Sequence, residues 1–146
     1  MITTNDVVDG VSIAIYNKFG SGYKIYPESI SQGLNLPCFI IYVGETMRSK
    51  VLHNRYKILI PFRIRFIGSD DGYKKEFNSV GDKLFECLEV VELLDQSSIR
   101  GSEMKFSYDQ DGNMVFDVIY KFYDYVDDGN VDNEMRTVET EVTRGD

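Results

Sequence analysis

A regular alternation of apolar and polar side chains between Arg55 and Phe66 is the clearest pattern in the chain. Every second residue from Tyr56 onward is large and apolar. This predicts a half-buried strand, because successive side chains of a strand point to opposite faces. Pro61 lies in the same run, and since it has no N–H to donate, it predicts an edge position or a bulge. The face opposite the apolar one carries four cations: Arg55, Lys57, Arg63 and Arg65.

Two further segments repeat their apolar residues every three or four positions, as amphipathic helices do. The first predicts a helix from Asp6 to Phe19, which Thr4 or Asn5 can cap. Gly10 weakens this helix, because glycine costs roughly 0.5–1 kcal/mol relative to alanine. The second segment predicts a longer helix from about Tyr73 to Leu94 with one apolar face.

Shorter apolar runs predict the remaining strands. Tyr23–Tyr26 forms a short strand, and Cys38–Val43 is apolar on both faces, which is typical of a central, covered strand. Gly44–Asn54 is predicted to be a polar connection. Met104–Tyr108 and Val115–Val126 form a hairpin, because an Asp-Gly step lies in the turn between them.

The predicted element order is α-β-β-β-α-β-β. This order favours an α+β fold with a mostly antiparallel sheet and both helices packed on one face. Residues 1–126 are expected to form a single domain, since a chain of 146 residues suits one core. Residues 127–146 are rich in acidic side chains and are predicted to be a C-terminal extension.

The charges of the chain are segregated along its length. The net charge is −8, which disfavours a free nucleic-acid binder, because such a protein neutralises phosphates with Lys and Arg. Between Arg48 and Arg65, however, the charged residues are all basic, and from Asp124 onward they are mostly acidic. The two stretches can meet across a contact between copies, which predicts a subunit interface made by Arg55, Lys57, Arg63, Arg65, Asp127, Asp128, Asp132 and Glu134.

Two other interpretations of the basic strand face stay open. Charged side chains and a proline also protect a strand edge from aggregation, so the face can simply be solvated. Alternatively, four cations on one face can meet nucleic acid, although no aromatic side chains interleave with them for base stacking.

Candidate chemistry is sparse. His53 is the only histidine and lies in a polar connection, and Cys38 and Cys87 lie in apolar segments without metal-ligand spacing. The turn beginning at Asp109 resembles a calcium loop, but Tyr120 stands where the closing glutamate belongs, so a plain hairpin turn is the better interpretation. The sequence therefore predicts a protein that is not an enzyme and uses no cofactor or metal. It shows no signal peptide and no apolar run of ~20 residues, so a soluble protein made in the cytoplasm is expected.

The layout resembles the phage tail terminator, or tail-completion, family. The resemblance rests on the opening segment 1–11, the strands Leu36–Tyr42 and Arg55–Phe66, the amphipathic helix after them and the C-terminal strand Val115–Tyr123. It covers the chain to about Val126. It implies a structural protein whose copies, six in that family, form a ring that caps the tail tube, stops its growth and meets the neck or head connector.

The resemblance also implies the partners. They are other copies of the chain and the tail tube protein, with sheath, neck and connector proteins as further candidates; no membrane and no specific nucleic acid are expected. Such a protein acts in the host cytoplasm during assembly and then in the virion or a tail-like particle. The alternatives are a head–tail joining or baseplate structural protein, a small enzyme or ligand-binding domain, or a small nucleic-acid-binding module.

Overall fold

The computed structural model describes residues 1–28, 32–69 and 74–126. Two helices and seven strands occur in these residues: α1 (Thr4–Phe19), β1 (Lys24–Tyr26), β2 (Cys38–Val43), β3 (Met47–Leu52), β4 (Arg55–Ile67), α2 (Lys74–Leu88), β5 (Val90–Glu92), β6 (Ser98–Tyr108) and β7 (Met114–Tyr125). The predicted α+β class is confirmed. The division into a domain of residues 1–126 and an acidic extension stays a prediction, because residues 127–146 lie outside the described part.

The strands form one sheet in the order β1-β2-β4-β7-β6-β5, and β3 pairs with β4 beside this path. The pairs β2–β4, β5–β6 and β6–β7 are antiparallel, whereas the short β1 runs parallel to β2. The prediction of a mostly antiparallel sheet is therefore confirmed.

Contacts divide the chain into two compact units. Among the described residues, the larger unit comprises segments within 2–47 and 58–122, and the smaller comprises Met1, Arg48–Lys57 and residues 123–126. The core is in the larger unit, where alternate residues of β4 from Ile58 to Phe66 are buried as the sequence predicts.

Aromatic side chains show that both helices pack on the same face of the sheet. Phe39 and Phe66 stand opposite each other on β2 and β4, with ring centroids 5.0 Å apart. Phe19 of α1 contacts Phe39 at 4.7 Å, and Phe77 of α2 contacts Phe66 at 5.9 Å. Because opposite residues of an antiparallel pair share a face, α1 and α2 cover one side of the sheet.

Glycine allows α1 and α2 to approach their neighbours closely. A Cβ added to Gly10 would lie 2.7 Å from Cδ2 of Leu93, and one added to Gly81 would lie 2.1 Å from Cδ2 of Phe106. Gly10 therefore weakens the helix in isolation but is required by its packing. The N-terminal cap of α1 is Thr3, where the sequence predicts Thr4 or Asn5; Thr3 and Asp6 each bond the other's backbone N–H.

The prediction that the second helix continues to Leu94 is wrong. The helix ends at Leu88, whose carbonyl accepts a hydrogen bond from the Tyr120 hydroxyl at 2.8 Å. The next carbonyl, of Glu89, accepts from the N–H of Gly101 at 2.7 Å. These bonds direct the following residues into β5, which pairs with β6.

Two predictions about the middle of the chain are also wrong. The expected connection Gly44–Asn54 contains the strand β3, and β4 lies inside the sheet although Pro61 predicts an edge or a bulge. The Pro61 carbonyl accepts from the N–H of Gly44 at 2.8 Å, one residue beyond the end of β2. The N and O atoms of one strand residue point to the same side of the strand. The N–H that Pro61 lacks would therefore face the chain beyond the end of β2, where it is not needed for pairing with β2.

Candidate interaction surface

Two of the four predicted interface cations have carboxylate partners in the same chain. Arg63 of β4 forms a two-pronged ion pair with Asp117 of β7, with Nε–Oδ1 and Nη2–Oδ2 distances of 2.8 and 3.1 Å. The hydrogen bonds that Arg63 donates to the Asp117 carboxylate raise the pKa of Arg63 further. Asp117 lies on the face of β7 opposite its buried neighbours Phe116 and Val118, so the pair lies on the side of the sheet away from the helices.

Arg65 is held in a similar way at the β6–β7 turn. Its Nε atom lies 2.8 Å from Oδ2 of Asp109, and its Nη2 atom lies 3.2 Å from Oδ2 of Asp111. Burial lowers the pKa of Arg65, but bonds to Asp109 and Tyr42 outweigh this and raise it. This turn, which resembles a calcium loop but is interpreted from the sequence as a plain hairpin turn, is thus ordered by an arginine and by its own backbone.

Asp109 organises this turn. One of its carboxylate oxygens accepts the N–H groups of Asp111 and Asn113, each at 2.9 Å. Burial raises the pKa of Asp109, but these amide bonds and the Arg65 guanidinium outweigh it and hold the pKa below its usual range. The carboxylate is therefore charged at neutral pH and serves as a structural acceptor.

The two ion pairs border an open groove of about 670 Å³ on this outer face. Its wall is partly apolar, with Pro61, Val115 and Ile119 among the lining residues. Apolar walls with paired charges suit contact with another protein surface better than binding of a free ion.

The other two predicted cations belong to the smaller unit and have different environments. The Arg55 guanidinium lies over the Tyr123 ring, 4.2 Å from the centroid, and its Nε atom is buried with no hydrogen bond to any described residue. Lys57 is exposed. The predicted acidic partners Asp127, Asp128, Asp132 and Glu134 lie outside the described residues, so their contact with these cations stays a prediction.

The hairpin of β3 and β4 is the feature that sequence reasoning missed. All six residues of β3 are exposed, including the cations Arg48 and Lys50. Arg48 contacts the side chain of Met1, with 3.4 Å between Nη1 and Sδ. At the turn of the hairpin, the carbonyl of Asn54 accepts the N–H of Val126 at 2.8 Å. The sequence signal for β3 is a weak alternation of apolar and polar residues over Met47–Leu52. The polar side chains of this segment obscure it.

The described residues offer few groups that could form a catalytic or metal-binding site. His53 is exposed in the hairpin turn, and no cluster of metal-ligating side chains occurs in the three described segments. Burial raises the pKa of the Cys87 thiol to about 11 and also raises the pKa of Cys38. Both are therefore protonated and poor nucleophiles at neutral pH. Neither α1 nor α2 is long and apolar enough to cross a membrane, and these are the helices among the described residues.

Comparison with known proteins identifies the family. The model of a family described as phage tail terminator protein matches residues 6–132, which include all seven strands, α2, and α1 from Asp6 onward. No curated protein matches the chain. The chain belongs to the phage tail terminator family, a structural family of the phage tail.

Proposed function

We propose that this tail terminator acts as a ring: identical copies, six by the family resemblance, close on the end of a finished tail tube and stop its growth. The ring then presents a surface to the neck or head connector. The family match over residues 6–132 is the observation that carries the proposal. Assembly takes place in the host cytoplasm, and the protein then stays in the virion or tail-like particle.

A closed ring needs two different and complementary patches on each subunit. In the proposed contact, the basic patch is Arg55, Lys57, Arg63 and Arg65, and the acidic patch is Asp127, Asp128, Asp132 and Glu134 of a neighbouring copy. The ion pairs make the four cations unequal as candidates for this contact. Arg63 and Arg65 already have carboxylate partners, so Lys57 is the most available cation of the four.

The proposed partners of the ring are other copies, the tail tube protein and the neck or connector, with a sheath protein where the tail has one. Complementary charges chiefly set the register and the association rate, whereas apolar and tyrosine contacts supply most of the affinity. The partly apolar wall of the outer groove offers such apolar contacts. The ion pairs also weaken the nucleic-acid alternative, because Arg63 and Arg65 have little free charge to offer to phosphates.

The test uses the full chain, a truncation that removes residues 128–146, and a length-matched control. The control keeps the extension but neutralises the four acidic residues of the proposed patch through Asp127→Asn, Asp128→Asn, Asp132→Asn and Glu134→Gln. Light scattering measures the assembled mass, and negative-stain microscopy locates the protein on purified tail tubes.

We expect the full chain to form rings at one end of the tubes. The truncation should fail to form them, and the control should form them only at higher concentration. A full chain that stays monomeric at every concentration and ignores the tube end would contradict the ring. Binding at the baseplate end would favour the baseplate alternative, and unchanged rings in the truncation would reject the role of the extension.

A further inference from the structure

The strand β3 has an unpaired edge. It pairs with β4 on one side, and no described strand pairs with its other side. Such an edge presents a row of free N–H and C=O groups, which is a template for a further strand. Both faces of β3 are also exposed: Val51 on one face is 44% and Leu52 on the other is 64% accessible. Because β4 pairs with β7 on its other side, β3 is the outermost strand here, and its free edge is open to a further strand.

The side chains of β3 define what that partner strand must carry. Arg48 and Lys50 lie two residues apart and so share a face, whereas Met47, Ser49 and Val51 share the other. Opposite charges directly across a strand pair are favourable, and like charges are not. The partner therefore needs two acids in alternate positions, flanked by β-branched or apolar residues.

The chain itself contains this sequence in its C-terminal extension. Residues 138–142 are Val-Glu-Thr-Glu-Val, a run rich in β-branched residues with acids two positions apart. In an antiparallel register the pairs are Met47 with Val142, Arg48 with Glu141, Ser49 with Thr140, Lys50 with Glu139, and Val51 with Val138. Because Val-Glu-Thr-Glu-Val reads the same in both directions, a parallel register pairs the same residue types.

The extension also begins at the turn that follows this edge strand. The N–H of Val126 is bonded to Asn54 in the turn that joins β3 to β4. The eleven residues 127–137 can span up to about 36 Å when extended, and six residues of strand measure about 20 Å. Residues 138–142 can thus reach β3 of their own chain, and equally β3 of any copy whose edge lies within that span.

We propose that residues 138–142 of one copy add as a strand to the free edge of β3 in the next copy. A strand from the same chain would satisfy the edge but leave both faces of β3 in water. A second copy brings the strand together with a surface that can cover Met47 and Val51. This inference rests on the proposed ring and names the contact that links its subunits; the matched family region ends at residue 132, before this segment.

Cross-linking tests the pairing directly. Ser49 and Thr140 stand opposite each other in both registers, and paired Cα atoms are about 4.5–5.5 Å apart, within the range of a disulfide. The double variant Ser49→Cys/Thr140→Cys is oxidised and run on non-reducing gels. The native thiols give little background, since Cys38 is buried and Cys87 is half-buried with a raised pKa. The matched control is Ser49→Cys/Thr143→Cys, which places the second thiol three positions away on the opposite face.

We expect the Ser49→Cys/Thr140→Cys variant to form a ladder of covalent oligomers that reductant collapses, and the control to stay monomeric on the gel. A cross-link within single chains would overturn the contact between copies. Rings without any cross-link would overturn the strand pairing and leave the ring intact. A wild-type chain that forms no ring in light scattering would overturn both proposals at once.

Charge exchange reports the orientation of the added strand. Lys50→Glu should raise the concentration needed for assembly roughly tenfold, because it places like charges opposite each other. Rescue by Glu139→Lys indicates the antiparallel register, and rescue by Glu141→Lys indicates the parallel one. Rescue by neither would overturn the proposal. Lys105→Glu, a change at an exposed lysine of β6, serves as the control of equal charge.

Discussion

The hydroxyl of Tyr120 donates a hydrogen bond to the backbone carbonyl of Leu88, and the two oxygen atoms are 2.8 Å apart in the buried core. The bond joins β7 to the last residue of α2, where an intrahelical partner for the carbonyl is missing. Burial raises the pKa of Tyr120 well above its ordinary value, so the hydroxyl is always a donor.

We expect Tyr120→Phe to lower the free energy of unfolding by about 1–3 kcal/mol, because it leaves the Leu88 carbonyl buried without a donor. Urea unfolding followed by circular dichroism measures the change. Tyr125→Phe is the control, since Tyr125 is 59% exposed and its substitution should shift stability by less than about 0.5 kcal/mol. Equal stability of the two variants would show that water or another donor replaces the hydroxyl.

Gly81→Ala separates helix propensity from packing. Alanine favours a helix by about 0.8–1.0 kcal/mol over glycine, but its Cβ would overlap the Phe106 ring. Overpacking of this kind costs about 1–3 kcal/mol, so we expect net destabilisation in thermal and urea unfolding.

The second arm of this test repeats the substitution in a Phe106→Leu background. There the overlap is relieved, and Gly81→Ala should become neutral or stabilising. If alanine stabilises the chain even when Phe106 is present, the close approach of α2 to β6 does not constrain position 81.

Asp109 should make stability depend on acidic pH. Its pKa is lower in the folded chain than in the unfolded chain, so the folded state holds the proton less tightly. The stabilisation is therefore fully present well above the unfolded value of about 3.9 and is lost as the pH falls through the folded-state pKa. Asp109→Asn should cost roughly 1 kcal/mol at pH 7 and much less at pH 2.5.

Urea midpoints of wild type and Asp109→Asn at the two pH values give this difference. Asp82→Asn, which changes an exposed aspartate of α2, controls for the loss of one negative charge. A cost that stays constant with pH would mean that the carboxylate charge contributes nothing to the turn.

The sequence predicts the elements whose signals are local. The apolar run Cys38–Val43 is β2 with the same bounds, and the alternation in β4 gives its buried face correctly. In contrast, Val90 and Val91 continue the helical period of α2, so only the bonds from Tyr120 and Gly101 to the end of the helix reveal β5. Such contacts between distant residues are not visible in a sequence pattern.

The ion pairs of the candidate surface also depend on contacts between distant residues that a sequence pattern does not show. Period-two spacing places Arg63 and Arg65 on the outer face, as observed. Their partners Asp117 and Asp109 are 54 and 44 residues away, so pairing them requires knowing that β7 lies next to β4. Asp117 offers a modest signal, since it is an acid flanked by the apolar residues 114–116 and 118–120.

The ion pairs of Arg63 and Arg65 affect how ionic strength acts on any complex at the outer groove. Arginines that are already neutralised within their own chain hold few condensed ions, and covering them releases few ions to the solvent. Binding over the groove should therefore be nearly insensitive to added electrolyte and should be selected by shape. The groove would then keep its partner under ionic conditions that vary widely, as they do between the interior of a host cell and the medium outside it.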